Sequence, residues 1–204
     1  MTTDPDIARL AAARPSVAAA WVSRVLDPVN VVAVLLLIVT WRSRTGWLEF
    51  SEVLALVLVG AVGVPKAVLA LALRHGLASD RQVVRRQERP VLAAVVLASV
   101  VLTVGGLALL HAPRPVFALL VAMATGLLLV LVATLAAKAS LHAAVLAGAI
   151  PILWLWNPGL GVAGALLLAA VMWARVREGR HSPAQVALGM VLGLIGGLLF
   201  PLLA

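Results

Sequence analysis

The feature that most constrains this chain is a succession of apolar runs, several close to the ~20 residues a helix needs to cross the hydrocarbon core of a bilayer. They are Val29–Trp41, Leu48–Leu73, Val91–Leu110, Val116–Ala137, Ala143–Trp156, Leu160–Trp173 and Ala184–Leu203. The first reaches spanning length only if the turns before it join it; the fifth and sixth are short enough that one is a candidate re-entrant segment. The breaks between runs carry turn chemistry. Pro90 suits the first turn of a helix, His111-Ala-Pro113-Arg-Pro115 makes a tight turn, Asn157-Pro158-Gly159 is a strong turn signal, and Ser182-Pro183 pairs a cap with a first-turn proline. Ahead of the runs, Ile7–Val25 reads as an amphipathic, interfacial helix carrying Arg9, Arg14 and Arg24. The expectation is an all-α, polytopic transmembrane bundle of six or seven spans plus an N-terminal amphipathic helix. Residues 1–27 form the interfacial segment and 28–204 one membrane-embedded domain.

Composition agrees and excludes other classes. Hydrophobic residues make up 63% of the chain and charged ones 12%, about half the charged share of a soluble domain. A soluble fold of this size leaves roughly 30% of its surface facing water, which this chain cannot cover with polar groups. A cytosolic enzyme, a disordered tail and a nucleic-acid binder are thereby set aside. There is no Cys, so disulfides and thiolate chemistry are excluded. Acids and arginines break up the first 27 residues, so no cleavable signal peptide is expected.

The net charge of +8 is unevenly placed. If all seven runs cross, one face holds Arg9, Arg14, Arg24, Arg74, Arg81, Arg85, Arg86, Arg89, Lys138, Arg175, Arg177 and Arg180. The opposite face holds Arg42, Arg44 and Arg114, and Lys66 lies inside a span. The positive-inside rule accounts for such a bias and favours a cytoplasmic richer face in a multi-pass cell-membrane protein, with the sidedness of the site left open. Arg86 is assigned to anionic headgroups on these grounds. His75 and His111 read as interface residues, and the tryptophans mostly as interfacial anchors. Gly105-Gly106 and Gly193/Gly196-Gly197 read as helix-packing notches.

Topology does not explain three polar segments lying at helix entrances: Arg81-x3-Arg85-x3-Arg89-Pro90, Lys138-Ala-Ser140-Leu-His142, and Arg175-Val-Arg177-Glu-Gly-Arg180-His181. Metal-free hydrolysis of a phosphate ester needs cations to neutralise the phosphoryl oxygens, donors to cradle them, a nucleophile, and an acid for the leaving oxygen. These segments supply those groups and little else polar.

Their order and spacing resemble the type-2 phosphatidic acid phosphatase superfamily, whose active site is shared with vanadium haloperoxidases and whose pattern is K-x6-R-P, P-S-G-H and S-R-x5-H-x3-D. Arg89-Pro90 matches the first ending, Ser140 and His142 the second motif, and Arg175 followed by five residues and His181 the third. The matches lie within Arg81 to Gln185, about half the chain. The resemblance implies that His181 is the nucleophile, forming a phosphohistidine, and that His142 is the general acid. It further implies that Arg89 and Arg175 hold phosphoryl oxygens and that Ser140 donates to them, with no cofactor or metal. Gln82 stands where the family has Lys, so Arg81 or Arg85 is expected to supply that charge, and Lys138 is expected to join the cradle. Ala139, Leu141 and Ala174 also depart from the pattern. Gln185 occupies the place of the Asp that orients the nucleophile; it can accept a hydrogen bond but cannot stabilise an imidazolium as a carboxylate does.

The expected function is hydrolysis of a phosphate or pyrophosphate monoester of a polyprenol or diacylglycerol lipid at the headgroup level. Two rival readings remain: a phospholipid-binding or transport protein weakened by Gln185, and a structural membrane subunit. The phosphatase reading requires Arg89, His142, Arg175 and His181 to converge; the structural one predicts that they scatter.

Overall fold

The computed structural model describes residues 13, 16–77 and 89–204, with side chains from residue 94 onward in the last stretch. Every element among them is helical: α1 (Val17–Val25), α2 (Pro28–Ser43), α3 (Trp47–Leu58), a π segment (Val59–Gly63), α4 (Val64–Arg74), α5 (Arg89–Leu109), α6 (Arg114–Ala136), α7 (Leu141–Trp156), α8 (Pro158–Arg177), α9 (Pro183–Gly197) and α10 (Phe200–Leu203). Among the described residues, five stretches are long and apolar enough to cross a membrane: Val17–Ser43, Trp47–Arg74, Arg114–Ala136, Pro158–Arg177 and Pro183–Leu203. Ala94–Leu109 and Leu141–Trp156 are shorter apolar helices. The short run at Val29–Trp41 gains its length from α1, which continues through the turn at Leu26–Asp27 into α2. The expected interfacial helix lies in part outside the described residues. Its described part, α1, packs along α8 and buries Ala19 and Ser23.

Helix starts follow the sequence. Asp27 Oδ1 accepts from Val29 N–H, Asn157 Oδ1 from Gly159 N–H and Ser140 Oγ from Ala143 N–H, and α9 opens with a full Ser182/Gln185 capping box. Three helix ends close alike. After α4, α5 and α8 the chain turns through a left-handed residue, Gly76 (φ 69°), His111 (φ 50°) and Gly179 (φ 68°), and carbonyls of the last turn accept the following N–H groups.

The tightest seam joins α7 to α9. Gly189, Gly193 and Gly197 recur every fourth residue along one face of α9, opposite Ser140, Ala144 and Gly148 on α7. A Cβ at any of the three glycines would collide with the facing backbone, while Gly196 meets Gly126 of α6 in the same way. Lipid tails are as apolar as leucine, so close backbone approach supplies the dispersion that holds such helices together. The notches expected at Gly193 and Gly196-Gly197 are thus helix contacts, and Gly106 packs on Leu56; Gly189 extends the stripe toward the polar end of the bundle.

The π segment ends at an identifiable point. Its N–H groups bond five residues back, as Val64 N–H does to Val59 carbonyl. The next donor in that register falls at Pro65, which has none. The Gly60 carbonyl is satisfied instead by Ser99 Oγ from α5 at 2.6 Å, as backbone at membrane depth requires. Lys66, one residue on, is exposed, and its long stem can carry the ammonium toward the interface.

Candidate functional site

The α6–α7 break and the α8–α9 break lie at one end of the bundle, and their polar side chains turn inward. Ser140, Arg175, His181, Lys138 and His142 are 0, 2, 4, 5 and 7% exposed, respectively. Buried charges and imidazoles need partners, and the local structure shows how they are placed.

Two connections hold the second motif in position. Ser140 caps α7, and its own N–H donates to the Gln185 carbonyl at 3.1 Å. The absent side chain of Gly189 lets the Ser140 backbone lie directly on α9. Lys138 Nζ reaches across to donate to the Arg180 carbonyl at 2.9 Å, so the two breaks are tied by a cation. In the third motif the left-handed turn at Gly179 folds the chain back, and Arg180 and His181 N–H both donate to the Arg175 carbonyl. This brings His181 over the end of α8, beside Arg175.

Sequence reasoning missed three participants. Glu178 Oε2 accepts from Arg175 Nη1 at 3.1 Å and from Ser23 Oγ at 2.7 Å, joining α1 to the end of α8 across 155 positions of chain. Asp27 Oδ2 lies 4.0 Å from His142 Nε2, an atom that is buried and makes no hydrogen bond among the described residues. The only advance signal for Glu178 was its lying three residues after Arg175, a spacing that pairs side chains on a helix.

The expected residues therefore divide. Lys138, Ser140, His142, Arg175 and His181 come together. Gln185 is adjacent, but its carboxamide oxygen accepts from Ser182 N–H at 3.0 Å, which uses it at the start of α9. Arg81 and Arg85 lie outside the described residues, and of Arg89 only the backbone, opening α5, is described. Among the described residues no three His, Asp or Glu side chains are grouped to hold a metal ion.

Beside this polar end, an apolar cavity of about 130 Å³ runs into the bundle. Pro28, Val32, Leu141, Ala144 and Gly148 are among its lining residues. Leu141 links the two regions: its neighbours Ser140 and His142 belong to the polar cluster, while its own side chain faces the cavity. The cluster can bind an anion through Arg175 and Lys138, offer two imidazoles for proton or phosphoryl transfer, and accept an apolar chain alongside. No protein-family model, curated protein or solved structure matches the chain.

Proposed function

We propose that this is an integral membrane lipid phosphatase that cleaves a phosphate or pyrophosphate monoester of a polyprenol or diacylglycerol lipid. The observation that carries the reading is the burial of Lys138, Ser140, His142, Arg175 and His181 at one end of the bundle, with Leu141 between two of them lining an apolar cavity. A structural subunit whose charges served topology alone would keep its cations in solvent or headgroups.

In this reading Arg175 and Lys138, with Arg89 and its neighbours Arg81 and Arg85 on the preceding break, neutralise the phosphoryl oxygens, and the Ser140 hydroxyl donates to one of them. A nitrogen of His181 attacks phosphorus. The P–O bond to the lipid breaks as the P–N bond forms, and His142 protonates the departing oxygen. Water, giving its proton back to His142, then cleaves the phosphohistidine and releases phosphate. The cavity takes the first part of the lipid chain. If all seven runs cross, the charge bias favours the cytoplasmic headgroup level for the site.

The test is phosphate release from polyprenyl pyrophosphate and phosphatidic acid by purified protein in EDTA, comparing wild type with His181→Ala. Release by wild type alone is expected; equal release from the two sinks the enzyme reading. The use of the Gln185 carboxamide in the α9 cap favours a second reading, in which lipid phosphate is held or moved without cleavage. Wild type that binds phosphatidic acid and releases no phosphate would establish it.

A further inference from the structure

We infer that Glu178 is a resident anion of the phosphate site: its carboxylate occupies Arg175 when no phosphate is bound, and α1 holds it there through Ser23. The inference rests on the proposed role of Arg175 as a phosphate-binding residue.

A guanidinium 2% exposed at the end of a membrane bundle needs a counter-ion. Glu178 provides one with a single oxygen, which accepts from Arg175 Nη1 at 3.1 Å and from Ser23 Oγ at 2.7 Å. A planar oxyanion that accepts from one guanidinium and one hydroxyl imitates part of what a phosphoryl group would accept there. The two anions exclude each other, because a phosphate brought to Arg175 would place its negative oxygens against the carboxylate. Glu178 has somewhere to go. Its side chain is 15% exposed, it is the C-cap that follows α8, and the left-handed Gly179 comes next, so rotation of the side chain carries the carboxylate outward from Arg175. Ser23, 1% exposed, opposes that rotation. Phosphate binding thus breaks a contact between α8 and α1, and the net charge near Arg175 becomes one unit more positive as the carboxylate leaves. The site would therefore favour dianionic over monoanionic phosphate headgroups.

The experiment is calorimetric titration of the full chain in nanodiscs with inorganic phosphate, comparing wild type, Glu178→Gln, Ser23→Ala and Arg175→Gln. Glu178→Gln should bind phosphate about tenfold more tightly, since one like charge is removed from contact. Ser23→Ala, which keeps every charge, should tighten binding by about threefold, since only the latch is lost. Arg175→Gln should abolish binding. If Arg175→Gln abolishes binding while Glu178→Gln or Ser23→Ala leaves it unchanged or weaker, Glu178 is no competitor and the inference falls, with the phosphate site intact. If Arg175→Gln binds as wild type does, or no protein binds phosphate, the proposed site itself is wrong and the inference goes with it.

Discussion

Arginine is handled in opposite ways at the two ends of the bundle. At the aromatic end, where α2, α7 and α9 finish, Arg44 is exposed. Its guanidinium lies 3.6 Å from the Trp41 ring centroid and 5.6 Å from that of Trp47, while Arg42 lies 5.3 Å from that of Trp156. Trp41, Trp47 and Phe50 meet edge to face, and Trp156 meets Phe200 likewise. These are clustered rings with cations on their faces, the pairing that a membrane interface favours. At the polar end, where those helices begin, Arg175 is buried and paired with a carboxylate, and Lys138 donates to a backbone carbonyl. The first arrangement costs little because water and lipid phosphates still solvate the charge. The second requires desolvation of a guanidinium and a carboxylate, which pure anchoring does not call for. On the proposed function, the difference separates cations that anchor the protein from cations that work at its site.

The largest break in this contrast is expected from Gly189→Val. The new side chain would be driven into the Ser140 backbone, and α7 would have to move away from α9. Overpacking a backbone contact costs roughly 3 kcal/mol or more, so the yield of folded protein and all phosphate release should fall together. Retained thermal stability in nanodiscs would show that the seam does not set the geometry of the polar end.

The legibility of the two ends differs for the same reason that their energetics do. The aromatic end was readable because its parts are local: Trp41 and Trp47 flank one turn, and Trp154 and Trp156 lie together beside another. The helices were readable because lipid imposes long apolar runs. Half of the polar end was readable from Lys138-x-Ser140-x-His142 and Arg175-x5-His181. The remainder, Ser23 and Asp27 against Glu178 and His142, joins residues more than a hundred positions apart, and no local pattern marks such a pairing. Glu178 was hidden within a basic run that looks solvated. Gln185 was read as an acceptor for His181, although Ser182-x-x-Gln185 is also the signature of a capping box, and that local bond is the one its carboxamide oxygen makes. The π segment escaped notice because Pro65 interrupts no apolar periodicity; its effect is on hydrogen bonding, which Ser99 repairs from another helix.

Arg175→Gln sharpens the contrast directly. It strands Glu178, with its Ser23 bond, beside an uncharged amide. Removing one partner of a buried pair costs about 3–5 kcal/mol; because Glu178 is partly exposed and can turn outward, about 3 is expected. Thermal unfolding in nanodiscs measures it. A loss below about 1 kcal/mol would mean that the pair behaves as a surface pair and that the polar end is wetter than its burial implies.

The smallest effect belongs to Arg44→Ala, the matched change at the other end. Arg44 also donates from Nη1 to the Trp41 carbonyl at 2.6 Å, so the substitution removes one stacked cation and one exposed hydrogen bond. Exposed cation–π contacts are worth about 0.5–1 kcal/mol, and the carbonyl left behind can turn to water or headgroups. Thermal stability should therefore fall by no more than about 1 kcal/mol, with phosphate release and phosphate affinity unchanged. Because both variants remove one positive charge, they alter the overall field of the protein equally. A loss of phosphate binding in Arg44→Ala as large as that in Arg175→Gln would show that general electrostatics, acting at either end, governs the anion, and the distinction between anchoring and working cations would collapse.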